Sequence, residues 1–166
     1  ELGDDFIVDL SGLGQMLGTS VSVPVVITYA DHPVTQKMGR GGMSYFPLAR
    51  TVSSMPRAVD ATELAFTDRR AWGESDLSPL VHESGGGEVE YEPDSDRPGP
   101  LSLAVAVHTL GDSAEEGNLT RIVVIGDSDF ARNQHFSEQG NGELIIHAGR
   151  WLIEGEDALT IPARTA

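Results

Sequence analysis

The clearest patterns along the chain are strand-like. Residues 121–126, "RIVVIG", form an unbroken apolar run behind one arginine, and 101–108, "LSLAVAVH", set Leu101, Leu103, Val105 and Val107 against Ser102, Ala104 and Ala106. Strands covered on both faces carry such sequences, so the first run predicts a central parallel strand and the second a doubly covered one. The β-branched stretch 23–30, "VPVVITYA", predicts a strand ending at Asp31, and 62–68, "TELAFTD", a shorter one. Helical period is clear in "NGELIIHAGRWLIEGED", residues 141–157. Leu144, Ile145, Ala148, Trp151 and Leu152 share one stripe there, with Asn141 as N-cap and Gly155 just past the end. Glycine and proline make 37–56 a long connection and 85–100 a loop or exposed edge hairpin, while 111–118 reads as a polar turn. Strands leading into a helix, with no internal repeat, predict an α/β domain.

The chain's 166 residues, 39% of them hydrophobic, match one domain with a sizeable core. A net charge of −15, from 26 acidic and 11 basic residues, repels nucleic acid and anionic lipid, so neither is an expected partner. No stretch reaches the roughly 18 consecutive apolar residues of a membrane span. Without cysteine there is no disulfide, thiolate metal site or cysteine nucleophile. A start at Glu1 and an end in "LTIPARTA" predict a segment of a longer protein.

Candidate chemistry concentrates at "GDSDF", residues 126–130, because ligands of open α/β sheets bind outside the carboxyl ends of strands. Asp127 and Asp129 can share a hard cation or act as acid and base. Alternatively, Asp127, Ser128 or Asp129 caps the turn that begins near Phe130. No further carboxylate, Lys or Thr stands at a spacing that completes a metal or phosphotransfer set, which favours the cap. His32, His82, His108, His135 and His147 show no His-x-x-x-His pairing, and His32, before a proline, suits a turn. His108 is the further polar candidate at a strand end. Ser11, Ser84 and Ser128 lack a Gly-x-Ser-x-Gly setting, and Gly39–Gly42 lack phosphate-loop spacing. Trp72, with Glu74 and Asp76 nearby, suits a core or lid position, or sugar stacking if its ring is exposed beside a cleft. No cofactor or metal is expected.

Five ordered segments, "HPVTQKM", "RRAWGESDL", "DRPGPLSLAVAVH", "RIVVIGDSDFARN" and "NGELIIHAGRWLIEGED", resemble the extracytoplasmic domain of the ABC-type transport auxiliary family, the gliding-motility-associated (GldG-like) components. The resemblance spans roughly residues 5–162. Two departures are Arg70-Ala71, where the family has Ser before the Trp, and Gly149-Arg150, where Asn-Ala is common. It implies a flavodoxin-like or glutamine-amidotransferase-like three-layer α/β domain, here its C-terminal part, in a membrane-anchored protein with the domain in the periplasm or at the cell surface. It also implies a non-catalytic binding or scaffolding role beside the membrane and ATPase subunits of an ABC transporter, with a homodimer possible through an uncovered strand edge. The alternative is a ligand- or metal-binding, hydrolase-like domain working through Asp127, Asp129 and His108.

Overall fold

Among the residues that the computed structural model describes, 1–38, 41–55, 60–78, 89–110 and 119–154, nine strands form three antiparallel sheets. β1 (Phe6–Asp9), β6 (Ala71–Glu74) and β7 (Arg97–Pro98) make one sheet, with β6 central. β2 (Val25–Val26) pairs with β4 (Ser44–Tyr45). The largest sheet holds β3 (Thr28–Tyr29), β5 (Ala61–Phe66), β8 (Ser102–Leu110) and β9 (Leu119–Ile125), in that order. The helices of the described residues are α1 (Leu13–Met16), a 3-10 turn (Asp129–Ala131), α2 (Asn133–Phe136) and α3 (Asn141–Glu154).

This β-rich architecture overturns the expected flavodoxin-like or glutamine-amidotransferase-like three-layer α/β domain. The decisive element is β9. It pairs antiparallel with β8, from Ala104↔Ile125 to Leu110↔Leu119, and lies at the edge of its sheet. Eight residues join the two strands, fewer than the dozen or more that a parallel crossover needs. Ile122 and Val124 are 49% and 39% exposed, whereas Val123 and Ile125 face the core. The apolar run is covered on one face, not two. The expected strand at 23–30 also divides, because exposed Ile27 separates β2 and β3, which join different sheets. The 37–56 connection supplies β4 and the buried Phe46, Ala49 and Val52. The expected turn at 111–118, along with His82, Ser84, Gly39 and Gly155, lies outside the described residues.

The main core joins β8 and β5 to α3 through Leu64, Leu103, Ala104, Leu144, Ala148 and Trp151. Phe46 and Phe130 stack within it at 5.3 Å between centroids, and burying each ring contributes about 1.5–3 kcal/mol. The buried stripe of α3 is narrower than its sequence predicts, since Leu152 is 44% exposed. Asn141 does not cap α3: the Gly140 carbonyl accepts the Leu144 amide. Instead the fully buried Asn141 side chain clasps β4. Its Oδ1 accepts the Tyr45 amide at 2.9 Å, and its Nδ2 donates to the Tyr45 carbonyl at 3.1 Å and the Phe130 carbonyl at 3.3 Å.

Candidate functional site

At the end of β9 the chain is squeezed from both sides. Gly126 donates its amide to the Leu103 carbonyl and accepts the Arg50 amide at 2.8 Å. A Cβ at Gly126 would overlap the Arg50 carbonyl oxygen, so only glycine fits before the turn. Asp127 then folds its Oδ1 onto the Asp129 amide at 2.6 Å, a local carboxylate cap of the kind Asp makes in turns. Ser128 makes no side-chain cap. Asp129 meets the Arg132 guanidinium at 3.3 Å, and Phe130 anchors the turn in the core.

The second oxygen of Asp127, Oδ2, is buried and has no hydrogen-bond partner. Burial accordingly pushes the Asp127 carboxyl up from 3.8 to about 6; the Asp129 amide opposes this, the Asp129 charge adds to it, and the Phe130 amide and His135 nearby lower it. His135 Nδ1 lies 2.8 Å from Glu138 Oε2 on the next turn of chain. The strand end thus holds a carboxyl that takes up a proton near pH 6, with a carboxylate-linked imidazole close by. No group of three or more His, Asp or Glu among the described residues is arranged to hold a metal ion.

The sign of the resulting pH dependence follows from the raised value. Between about pH 4 and pH 6 the folded chain holds a proton that the unfolded chain has released, so stability falls as pH rises through this window and is level above it. Asp127→Asn keeps the acceptor oxygen and removes the charge. Equilibrium denaturation of that variant at pH 4, 5, 6 and 7 is expected to show a flatter profile than the parent, with stability at pH 7 equal or higher. A parent profile already flat through the window would contradict the raised carboxyl.

The four candidate residues do not converge. His108 lies near the far end of β8, opposite Arg121, with Nε2 4.0 Å from Asp60 Oδ2. Six residues of extended chain, roughly 20 Å, separate its register position from Asp127. Trp72 stands on β6 in a different sheet, 5% exposed, with Nε1 bonded to Glu74 Oε2 at 3.1 Å, so its ring is not open for sugar stacking. Glu74 is committed as well, its Oε1 accepting the Asp76 amide. His32 sits in a turn, its carbonyl accepting the Thr35 amide, and its ring meets Trp151 at 5.0 Å. His147 is buried; burial first, then Lys37 and Arg150, lower its pKa against the pull of Glu143.

The sequence reading missed His135 with Glu138, although their i, i+3 spacing is legible. It also missed a cleft beside Trp72. A cavity of about 350 Å³ opens there between Leu10, Arg69, Arg70, Trp72, Tyr91 and Pro98. Tyr91 meets Trp72 edge-on, 6.0 Å between centroids, and is 40% exposed.

No family model matches the chain. No curated protein matches it either. A solved structure described as the "mmIFT52 N-terminal domain" is similar in fold, with a TM-score of 0.58 and 12% sequence identity. The likeness covers 93% of this chain and 53% of that one. At that identity it bears on the fold alone.

Proposed function

We propose that the chain is a non-catalytic binding or scaffolding domain of an ABC-type transport auxiliary component of the GldG-like kind, held at the membrane by other parts of its protein and facing the periplasm or the cell surface. Its partners are then the transporter's membrane and ATPase subunits. Among the described residues no helix is long and apolar enough to cross a membrane, so anchoring falls to other segments on this reading. Support comes from the five ordered sequence segments and from one structural observation that carries most weight. Each strand-end aspartate, where chemistry is expected, has an oxygen engaged in the turn: Asp127 Oδ1 holds the Asp129 amide, and Asp129 Oδ1 holds Arg132.

A second reading has its own observation. The unpartnered Asp127 Oδ2 beside the His135–Glu138 pair suits a ligand or proton-transfer site at the β9 end. Asp127→Asn and Asp129→Asn separate the two, because Asn preserves the cap and abolishes the charge. In cells, both variants are expected to support transporter function and to co-purify with the membrane and ATPase subunits as the parent does. Variants that fold and melt like the parent yet abolish function would overturn the scaffolding reading in favour of the site.

A further inference from the structure

We infer that the cleft beside Trp72 binds a carboxylate carried on a planar or branched apolar body, with Arg69 taking the carboxylate and Tyr91 and Leu10 the body; this rests on the binding reading above and names its ligand class. The first argument is charge. In a chain with 26 acidic and 11 basic residues, the cavity is lined by two arginines and no acidic side chain among the described residues. The two arginines differ in state. Arg70 is committed, with Nε on Asp68 Oδ1 at 3.4 Å and its guanidinium on the Ser11 carbonyl. Arg69 is exposed and makes no hydrogen bond or ion pair among the described residues. Its guanidinium fork is therefore uncommitted at a residue that lines the cavity, and such a fork pairs with a carboxylate through two parallel bonds.

The second argument is shape. Trp72 is fixed by its bond to Glu74 and by its place opposite Pro98 across β6 and β7. Tyr91 leans edge-on against that fixed indole and leaves a large part of its own surface open, while Leu10 is 47% exposed on the same cavity. Pro98 adds an apolar wall without a backbone donor. The cleft is thus a mainly apolar hollow, about 350 Å³, with two arginines at its edge of which one is uncommitted, the usual design of a site for a small ligand or chain end. The single free guanidinium selects a monoanion. The exposed Asp68, Glu90 and Glu92 adjoin the lining residues Arg69 and Tyr91 in sequence, and their repulsion weighs more against a doubly charged phosphate than against a carboxylate.

The test uses N-acetylphenylalanine as probe and N-acetylphenylalaninamide as its uncharged counterpart, titrated into the full chain and followed by two-dimensional NMR. The acid is expected to shift the signals of Trp72, Tyr91 and Arg69 and to bind about tenfold more tightly than the amide, and Arg69→Gln should erase that difference while leaving amide binding unchanged. A peptide ending in phenylalanine with a free carboxylate that binds more tightly than the acid assigns a protein chain end as the natural ligand; equal binding assigns a free small acid. Equal binding of acid and amide, or an Arg69→Gln variant that binds the acid like the parent, overturns the proposal. So does the lack of any shift at these residues. Any of these results with transporter co-purification intact removes the cleft and leaves the scaffolding role standing. Probe binding with co-purification lost does the reverse.

Discussion

Trp151→Ala is expected to destabilise the fold by about 3–5 kcal/mol, the largest loss from any single truncation in α3. The ring is 1% exposed and sits where three parts of the chain meet. His32 approaches it edge-on at 5.0 Å, the Arg121 guanidinium lies 5.1 Å from its centroid, and Leu144 and Ala148 precede it on the same buried face. Truncation opens a cavity and also strips Arg121 of its aromatic support. That guanidinium still donates to the Trp151 carbonyl at 2.6 Å, a bond that satisfies one of the orphan carbonyls near the end of α3. Trp151→Phe, which keeps an aromatic face, should recover much of the loss. Chemical denaturation measures both. An alanine variant that melts within a degree or two of the parent would show that α3 is docked differently.

Gly126→Ala ranks second, at about 3 kcal/mol, and the cause is steric. The backbone at Gly126 is not left-handed, so alanine suffers no conformational penalty of its own. The added methyl instead meets the Arg50 carbonyl oxygen, which is backbone and cannot rotate away, with the Val52 side chain 3.1 Å off on the same side. Relieving that overlap means parting the 49–52 segment from β9 and weakening the Arg50 amide bond to the Gly126 carbonyl. Because Asp127 follows directly, its turn should shift too. Equilibrium unfolding gives the energy, and the pH dependence described for Asp127 should change with it. Wild-type stability in the alanine variant would mean that the two segments are farther apart than described.

Legibility of the fold in the sequence varied with how local the determinants are. α3 could be read because Leu144, Ala148 and Trp151 recur at helical spacing within one segment. The existence of β8 was readable for the same reason, with period two in place of 3.6, and β5 from its short strand-like composition. Sheet order was not. Ile122 to Ile125 are apolar at every position whether one face is buried or both, and periodicity cannot distinguish these. The length of 111–118 could have, since eight residues suit a return to an antiparallel neighbour and are too few for a crossover helix. At the β9 end, the Asp127–Asp129 turn spans two residues and was legible as a cap. The unpartnered Oδ2 was not, because burial depends on distant packing. The cleft had no local signal: Arg69 and Trp72 lie about twenty residues from Tyr91, and the pairing of β6 with β7 brings the two segments together.

Asn141 acts towards Tyr45 as a neighbouring strand would, taking its N–H and supplying its C=O with a donor through one carboxamide. A two-residue ladder such as β2 with β4 has little cohesion of its own, and here its missing neighbour is borrowed from the first residue of a helix 96 positions away in sequence. Docking of the helix therefore completes the edge of the ladder. The Gly140 amide on the Met43 carbonyl adds a second bond beside it, and Val26 and Phe46 share one core with Leu144 and Trp151, so this amide is a rivet set into a joint that apolar packing also holds.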